Sequence, residues 1–330
     1  MRMHRTRRQF IAEGSVLALG ASVSFGSQRS PVIPLVDGPE VERYKLAQER
    51  ALAKFGVHAQ SRYIPLRKPA LTAHVLVAGH GDPVVLIHGG GTVAVQFAPL
   101  LNGIEGGFRC FAPDRPGCGL TDKFDYIGVP FRQHAIDFVT SLLDELHLPK
   151  AAIVGNSMGG YWALVFALAA PKRVTKLVLL GGVAGSPPPQ PGHRLPNAGE
   201  PSLESTRATY HFLMANGDRA PNEILEADYA ASTLPEANRG WNSMLEELSR
   251  EGVERTGLTY ALRPELKNLR PPTLFVWGDK DIEGPPSLAQ EMAAIAPHAR
   301  CEIIPDAGHL VWLDQPDRCI KLMLDFLKST

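Results

Sequence analysis

Ala151-Ala-Ile-Val-Gly-Asn-Ser-Met-Gly-Gly160, continued by Tyr161-Trp-Ala-Leu-Val-Phe-Ala-Leu-Ala-Ala170, is the stretch whose reading decides the fold. The first four residues are a short apolar run of strand type, and the last ten are apolar and long enough for a buried helix. Between them Gly155-Asn156-Ser157-Met158-Gly159 has the pattern Gly-x-Ser-x-Gly. A strand that turns into a helix this abruptly forces its central residue into a strained backbone conformation. Side chains two positions before and after would collide there, and glycine stands at both. Ser157 then sits at a helix N-terminus, where free N–H groups stabilise negative charge. A five-residue match alone is weak; the strand before it and the helix after it make Ser157 the candidate nucleophile.

A serine hydroxyl attacks only when a base takes its proton. Eleven histidines are present, and any one of them is by default a surface or packing residue. His309 stands apart because it follows a strand-like run, Ala299–Ile304, and precedes the closing helical pattern. His134 and His147 belong to a helical stretch, and His88 closes an apolar strand beside three glycines, where it shapes the loop. The imidazole needs a carboxylate to orient it. Trp277-Gly-Asp-Lys-Asp281 offers Asp279 and Asp281, and Asp306 lies three residues before His309.

Working outward, apolar strands and helices alternate. Strand-like runs cover His74–Gly79, an edge strand by this reading, then Pro83–Ile87, Phe108–Ala112, Ala151–Val154, Val174–Leu180, Thr273–Trp277 and Ala299–Ile304. Helical periodicity covers 41–55, 131–147, 158–170 and 318–327. Such alternation predicts a mostly parallel sheet with helices on both faces, whose chemistry sits at the carboxyl ends of its strands. Asp114, Ser157, Asp281 and His309 all fall just after a strand. The alternation breaks at Gly185-Ser-Pro-Pro-Pro-Gln-Pro191, and only helical patterns follow until Thr273. We divide the chain into an N-terminal segment, 1–30, a linker and helix, 31–60, a core, 61–184 with 268–330, and an inserted helical cap, 185–267.

Taken in order, His88-Gly-Gly-Gly91, Asp114-Arg-Pro-Gly-Cys-Gly-Leu-Thr-Asp122, Gly155-Asn-Ser-Met-Gly-Gly160, Gly278-Asp-Lys-Asp281 and Gly308-His309 resemble the α/β-hydrolase superfamily over about residues 74–330. The resemblance implies the α/β-hydrolase fold, with an eight-stranded type of sheet. It implies Asp281 as the acid of a Ser157–Asp281–His309 triad, and an oxyanion hole made by the N–H groups of Gly90 and Met158. It makes Asp114 and Arg115 loop-holding residues. The elbow is similar to those of meta-cleavage-product (carbon–carbon bond) hydrolases and of many simple esterases. Two departures count against the first: Leu310 stands where those enzymes have tryptophan after the histidine, and Asp228 falls where a cap arginine grips the substrate carboxylate. Arg207 and Arg239 are the residues that could replace that arginine. A serine nucleophile also disfavours dehalogenases and epoxide hydrolases, which use aspartate; cofactor-free haloperoxidase-like activity shares the triad.

The expected activity is cleavage of a small or medium carboxylic ester through an acyl-enzyme, without cofactor or metal. The alternatives are carbon–carbon cleavage and a ligand-binding protein without turnover. Gly89, Tyr210, Met214, Trp241 and Leu310 are candidate substrate contacts. No Gly-x-x-x-x-Gly-Lys-Ser/Thr loop is present, and no dinucleotide-binding glycine pattern follows the first strand.

The formal net charge is zero, which points to neither nucleic acid nor an acidic partner. That zero hides an asymmetry. Residues 1–30 carry five arginines and one glutamate, leaving 29 basic against 33 acidic side chains in the rest. The head reads as a basic stretch, then Thr6-Arg-Arg-Gln-Phe-Ile11, then a small and apolar run from Gly14 to Phe25. It resembles a twin-arginine export signal, implying a periplasmic or secreted protein. The run is too short for a convincing membrane span. Cys110, Cys118, Cys301 and Cys319 lack metal or redox spacing, and we expect no structural disulfide.

Overall fold

The computed structural model describes residues 30–182, 200–251 and 262–329, and residues from Pro31 onward form one compact unit. The strands are β1 (Val32–Ile33), β2 (Gln60–Pro65), β3 (Thr72–Gly79), β4 (Asp82–Ile87), β5 (Phe108–Pro113), β6 (Lys123–Phe124), β7 (Ala151–Asn156), β8 (Val174–Leu180), β9 (Thr273–Gly278) and β10 (Ala299–Ile304). The helices of the first half are α1 (Pro39–Lys54), α2 (Ala98–Ile104), α3 (Phe131–Glu145) and α4 (Met158–Ala169). Those of the second are α5 (Leu203–Leu213), α6 (Asn222–Ser232), α7 (Ala237–Arg250), α8 (Pro286–Ile295), α9 (Val311–Asp314) and α10 (Pro316–Lys328).

Eight strands form one sheet in the order β10-β9-β8-β7-β4-β5-β3-β2. Pairing is parallel from β10 through to β5 and antiparallel at β5–β3 and β3–β2. The central strands carry continuous apolar runs, such as Val84–Ile87, Ala151–Val154 and Leu177–Leu180, because both faces are covered, and alternate side chains enter different layers. Val84, Leu86, Val154 and Val178 join one cluster with α1, α2 and α10. Val85, Ile87, Ile153 and Leu177 join the other with α3, α4 and α8.

The expected edge strand is a second strand. β2 lies outside β3, and His74 is fully buried. Gln60-Ser-Arg-Tyr-Ile-Pro65 gives little apolar signal because only Ile64 faces the core. Its arginine and proline are what an edge strand carries to discourage further pairing.

Between β8 and β9 the described elements are helical. α6 packs on α1, and α7 is tied to the loop after β6, where Ser243 Oγ accepts from Tyr126 N at 3.0 Å and Glu247 Oε2 from Gly128 N at 2.7 Å. The cap boundary at 185 and the N-terminal signal lie outside the described residues. Among those described, no helix is long and apolar enough to cross a membrane. All four cysteines are free thiols.

Candidate active site

Ser157 is the residue between β7 and α4, with φ 50° and ψ −119°. The flanking glycines are required by contact. A Cβ on Gly155 would lie 2.4 Å from the Gly159 carbonyl oxygen, and one on Gly159 would lie 2.0 Å from that of Ile87. Backbone atoms cannot yield there, so the turn exists only with glycine at both places. Met158 opens α4, and its N–H is one of the helix's unpaired donors.

The glycine loop after β4 lies against this elbow. A Cβ on Gly89 would fall 2.6 Å from Asn156 Oδ1 and 3.3 Å from Ser157 Cβ. His88 is the anchor of that loop: its Nδ1 meets Gly89 O at 2.9 Å, and its Nε2 accepts from Arg115 N at 2.9 Å. Burial, with Arg115 nearby, lowers the His88 pKa to about 3, so this imidazole is neutral. Arg115 donates to His88 O and Gly89 O at 3.1 and 2.7 Å. Asp114 accepts from Ala94 N and Leu120 N, at 2.8 and 2.9 Å. Both residues hold loops.

The second half of the site comes from the turns after β9 and β10. His309 Nδ1 lies 3.1 Å from both carboxylate oxygens of Asp281. Asp281 is buried and also accepts from Gly182 N at 3.0 Å and Glu283 N at 2.9 Å. Of the three acids open from the sequence, it is the one bonded to the imidazole. Asp279 accepts from Ala307 N, and Asp306 is held at the surface by Arg219 and Lys280. Burial alone would lower the His309 pKa; the Asp281 charge and hydrogen bond, with the Glu283 charge, outweigh it and leave it raised. His309 N donates to Leu213 O at 2.6 Å, which links this histidine to the end of α5.

A cavity of about 180 Å³ lies between these halves. Ser157, Met158, His309 and Leu310 line one end with Gly89 and Gly90. Trp241 of α7 covers Gly90 so closely that a Cβ there would sit 2.6 Å from the ring. Tyr210 and Trp241 are thus cavity residues, as expected from the sequence. Met214 is not: it caps the end of α5 with its side chain buried, and its backbone packs on Gly308.

Another part of the cavity lining is polar. Asp228 of α6 is buried and accepts from Thr92 Oγ1, 3.1 Å from each carboxylate oxygen, and from the Tyr210 hydroxyl. Gln96 Nε2 donates to the Tyr210 oxygen at 2.9 Å. Burial raises the Asp228 pKa to about 7 against the lowering effect of the Tyr210 and Thr92 hydrogen bonds. Among the described residues, no lysine or arginine lines the cavity. Arg207 is exposed and bonds Asn222, and Arg239 is exposed and pairs with Asp125 and Glu236, so neither takes the place of a cap arginine. Thr92, Gln96 and Glu283 escaped the sequence reading. A glutamine inside the apolar run Val93-Ala-Val-Gln-Phe-Ala98 was the available signal, since a polar residue there must be buried and bonded.

A second Ser–His–Asp array is present at the sheet edge. His74 meets Asp114 Oδ2 at 2.8 Å through Nδ1 and Ser61 Oγ at 3.0 Å through Nε2. Ser61 lies mid-strand in exposed β2, without an elbow or a helix N-terminus, and lines neither the central cavity nor a groove at the sheet edge.

Sheet order, elbow and the paired His309 and Asp281 define a member of one fold family. The chain belongs to the alpha/beta hydrolase family, whose model matches residues 84–322. It is 29% identical to a 2-hydroxy-6-oxo-6-phenylhexa-2,4-dienoate hydrolase of Burkholderia cepacia over 82% of this chain and 96% of that one. It is 28% identical to a 2-hydroxy-6-oxo-2,4-heptadienoate hydrolase of Pseudomonas putida over 76% and 91% of the two chains. Among solved structures, the meta-cleavage product hydrolase CumD of Pseudomonas fluorescens superposes with TM-score 0.69 at 25% identity, covering 81% of this chain and 97% of that one. The carboxylesterase CesB of Bacillus subtilis superposes with TM-score 0.74 at 18% identity, covering 89% and 100%. The protein is a hydrolase by this kinship.

Proposed function

We propose that this protein is a serine hydrolase of small to medium carboxylic esters. Ser157 Oγ attacks the ester carbonyl while His309 Nε2 takes its proton, and Asp281 steadies the resulting imidazolium. The N–H groups of Gly90 and Met158 receive the oxyanion. His309 returns the proton to the leaving alcohol, then takes one from water as that water attacks the acyl-enzyme, and finally returns it to Ser157. The exported location read from Arg7-Arg8 and the apolar run after them belongs to the same proposal.

The single observation that favours an ester over a dienoate is the polar part of the cavity, where Asp228 stands and no lysine or arginine among the described residues lines the wall. A substrate carboxylate brought there would face a second buried carboxyl without compensation. Carbon–carbon cleavage is the second reading, favoured by the relatives that share over a quarter of their residues with this chain. A p-nitrophenyl acyl series run beside a ring-fission dienoate separates the two, with esters expected to turn over and preferential dienoate turnover reversing the assignment. Labelling with a fluorophosphonate is expected at Ser157, and Ser157→Ala should lower kcat/KM by at least about 10⁴-fold. Folded protein that stays unlabelled would refute the hydrolytic role of this serine.

A further inference from the structure

We propose that Asp228 and Gln96 form a subsite for a protonated amine carried by the substrate. The inference rests on the ester-hydrolase reading and names the class of ester. Its ground is the direction of the hydrogen bonds in the polar part of the cavity. Thr92 and Tyr210 both donate to Asp228, and Gln96 donates to Tyr210. The chain of donors therefore runs toward the carboxylate. Gln96 Nε2 is committed to Tyr210, whose own proton goes to Asp228, so Gln96 Oε1 points elsewhere; it is buried and has no partner. A carboxylate has about four acceptor positions and here meets two hydroxyl donors. Two residues of the cavity lining thus carry unused acceptors, and no lysine or arginine among the described residues of that lining satisfies them.

Leaving a buried acid and a buried amide oxygen short of donors is costly, and a fold keeps such a pair where a ligand completes it. The group that completes it must donate hydrogen bonds, and one that also carries positive charge repays the burial of Asp228. A protonated amine does both. An anion does neither, and an alkyl group would seal the acceptors in without partners. Among the described residues, Asp114, Tyr44, Tyr210 and Cys118 interact electrostatically with Asp228, and none of these is cationic. Asp228 and Ser157 line the same cavity, so an ester anchored by its amine at one end can present its carbonyl at the other.

Pairs of esters that differ only in a tertiary ammonium replacing a CH test this. One pair varies the alcohol, 2-(dimethylamino)ethyl acetate against 3-methylbutyl acetate. The other varies the acyl group, ethyl 3-(dimethylamino)propanoate against ethyl 4-methylpentanoate. The readout is the amine-to-alkyl ratio of kcat/KM, in which inherent reactivity and the state of His309 cancel between variants. In at least one pair, Asp228→Asn should lower that ratio about tenfold or more, and Gln96→Leu several-fold. In the unaltered protein the ratio should rise between about pH 6 and pH 8 as Asp228 ionises, which needs no variant to fold. Calorimetric binding of the same four compounds to Ser157→Ala should show the same preference without turnover. Equal ratios in the parent and Asp228→Asn, or binding to Ser157→Ala without amine preference, overturns the subsite and leaves the ester-hydrolase reading standing. Amine-selective binding to Ser157→Ala with no ester turned over by the parent supports the subsite and overturns the hydrolase reading instead.

Discussion

His309 is buried, and an imidazolium in a dry site is unfavourable unless a negative charge faces it. Asp281, bonded to Nδ1, and Glu283, which lines the same cavity, supply that charge and hold the pKa above its ordinary value of 6.5. The base must be neutral to accept the serine proton, so activity is lost as pH falls through this raised pKa. The acid limb of kcat/KM is expected to have its midpoint above 6.5. Asp281→Asn removes the larger of the two opposing charges, leaves burial countered by Glu283 alone, and should move that midpoint downward while cutting kcat by about 10⁴-fold; an unmoved midpoint would separate the limb from His309. In the array Ser61–His74–Asp114 the histidine–carboxylate contact, 2.8 Å, is shorter than the 3.1 Å of His309–Asp281, yet the array lacks strain, helix N-terminus and cavity. Ser61→Ala should therefore keep ester turnover within about twofold, measured beside Ser157→Ala. The contrast shows why Ser157 was legible in the sequence and the acid was not fully so. The elbow's glycines are demanded by local backbone contacts, which sequence records. Asp281, Asp279 and Asp306 differ only in where two separate loops meet.

Helix α6 carries its acid inward at a cost in stability. The Asp228 pKa rises from 3.8 to about 7 on burial, so the folded state prefers the protonated acid. The sign follows: the penalty is absent below the unfolded pKa, grows as pH rises from about 4, and is complete above about 7. Asp228→Asn does not titrate. The difference in Tm between this variant and the parent should become more positive from pH 5 to pH 8, by several degrees for a penalty growing on the order of 2 kcal/mol. A constant difference across that range would mean that Asp228 ionises normally. Elements with a strong period, such as α1 and α3 or the apolar β4, β7 and β8, were legible to within a few residues because burial on one or both faces writes the pattern. β2 was not, because five of its six residues face away from the core. The polar part of the cavity escaped for another reason. Thr92 and Gln96 follow β4, Tyr210 lies on α5 and Asp228 on α6, and no short-range pattern joins them.

At the scale of the whole chain, charge and thiols bear on where the protein works. Beyond residue 30 the net charge is −4, so the five arginines before it are a local feature and no part of a basic surface. The fold they precede contains four free thiols, two of them, Cys110 in β5 and Cys319 in α10, buried within the layers that cover the sheet. Burial pushes both thiols up to about 12, which keeps them protonated and unreactive. A fold with no disulfide to form can be completed in a reducing compartment, and an export route that accepts folded proteins then suits it. The proposed signal makes a sharp prediction, because twin-arginine recognition reads the guanidinium pair and not positive charge alone. Replacing Arg7 and Arg8 together by lysine preserves the charge of the head. In a bacterial host with that pathway, cell fractionation and immunoblotting should then find the full-length protein in the cytoplasm, folded and labelled by a fluorophosphonate. The parent should be processed and found outside the inner membrane. Export of the double lysine variant at the parent's level would overturn the twin-arginine assignment while leaving the proposed ester chemistry of Ser157 untouched.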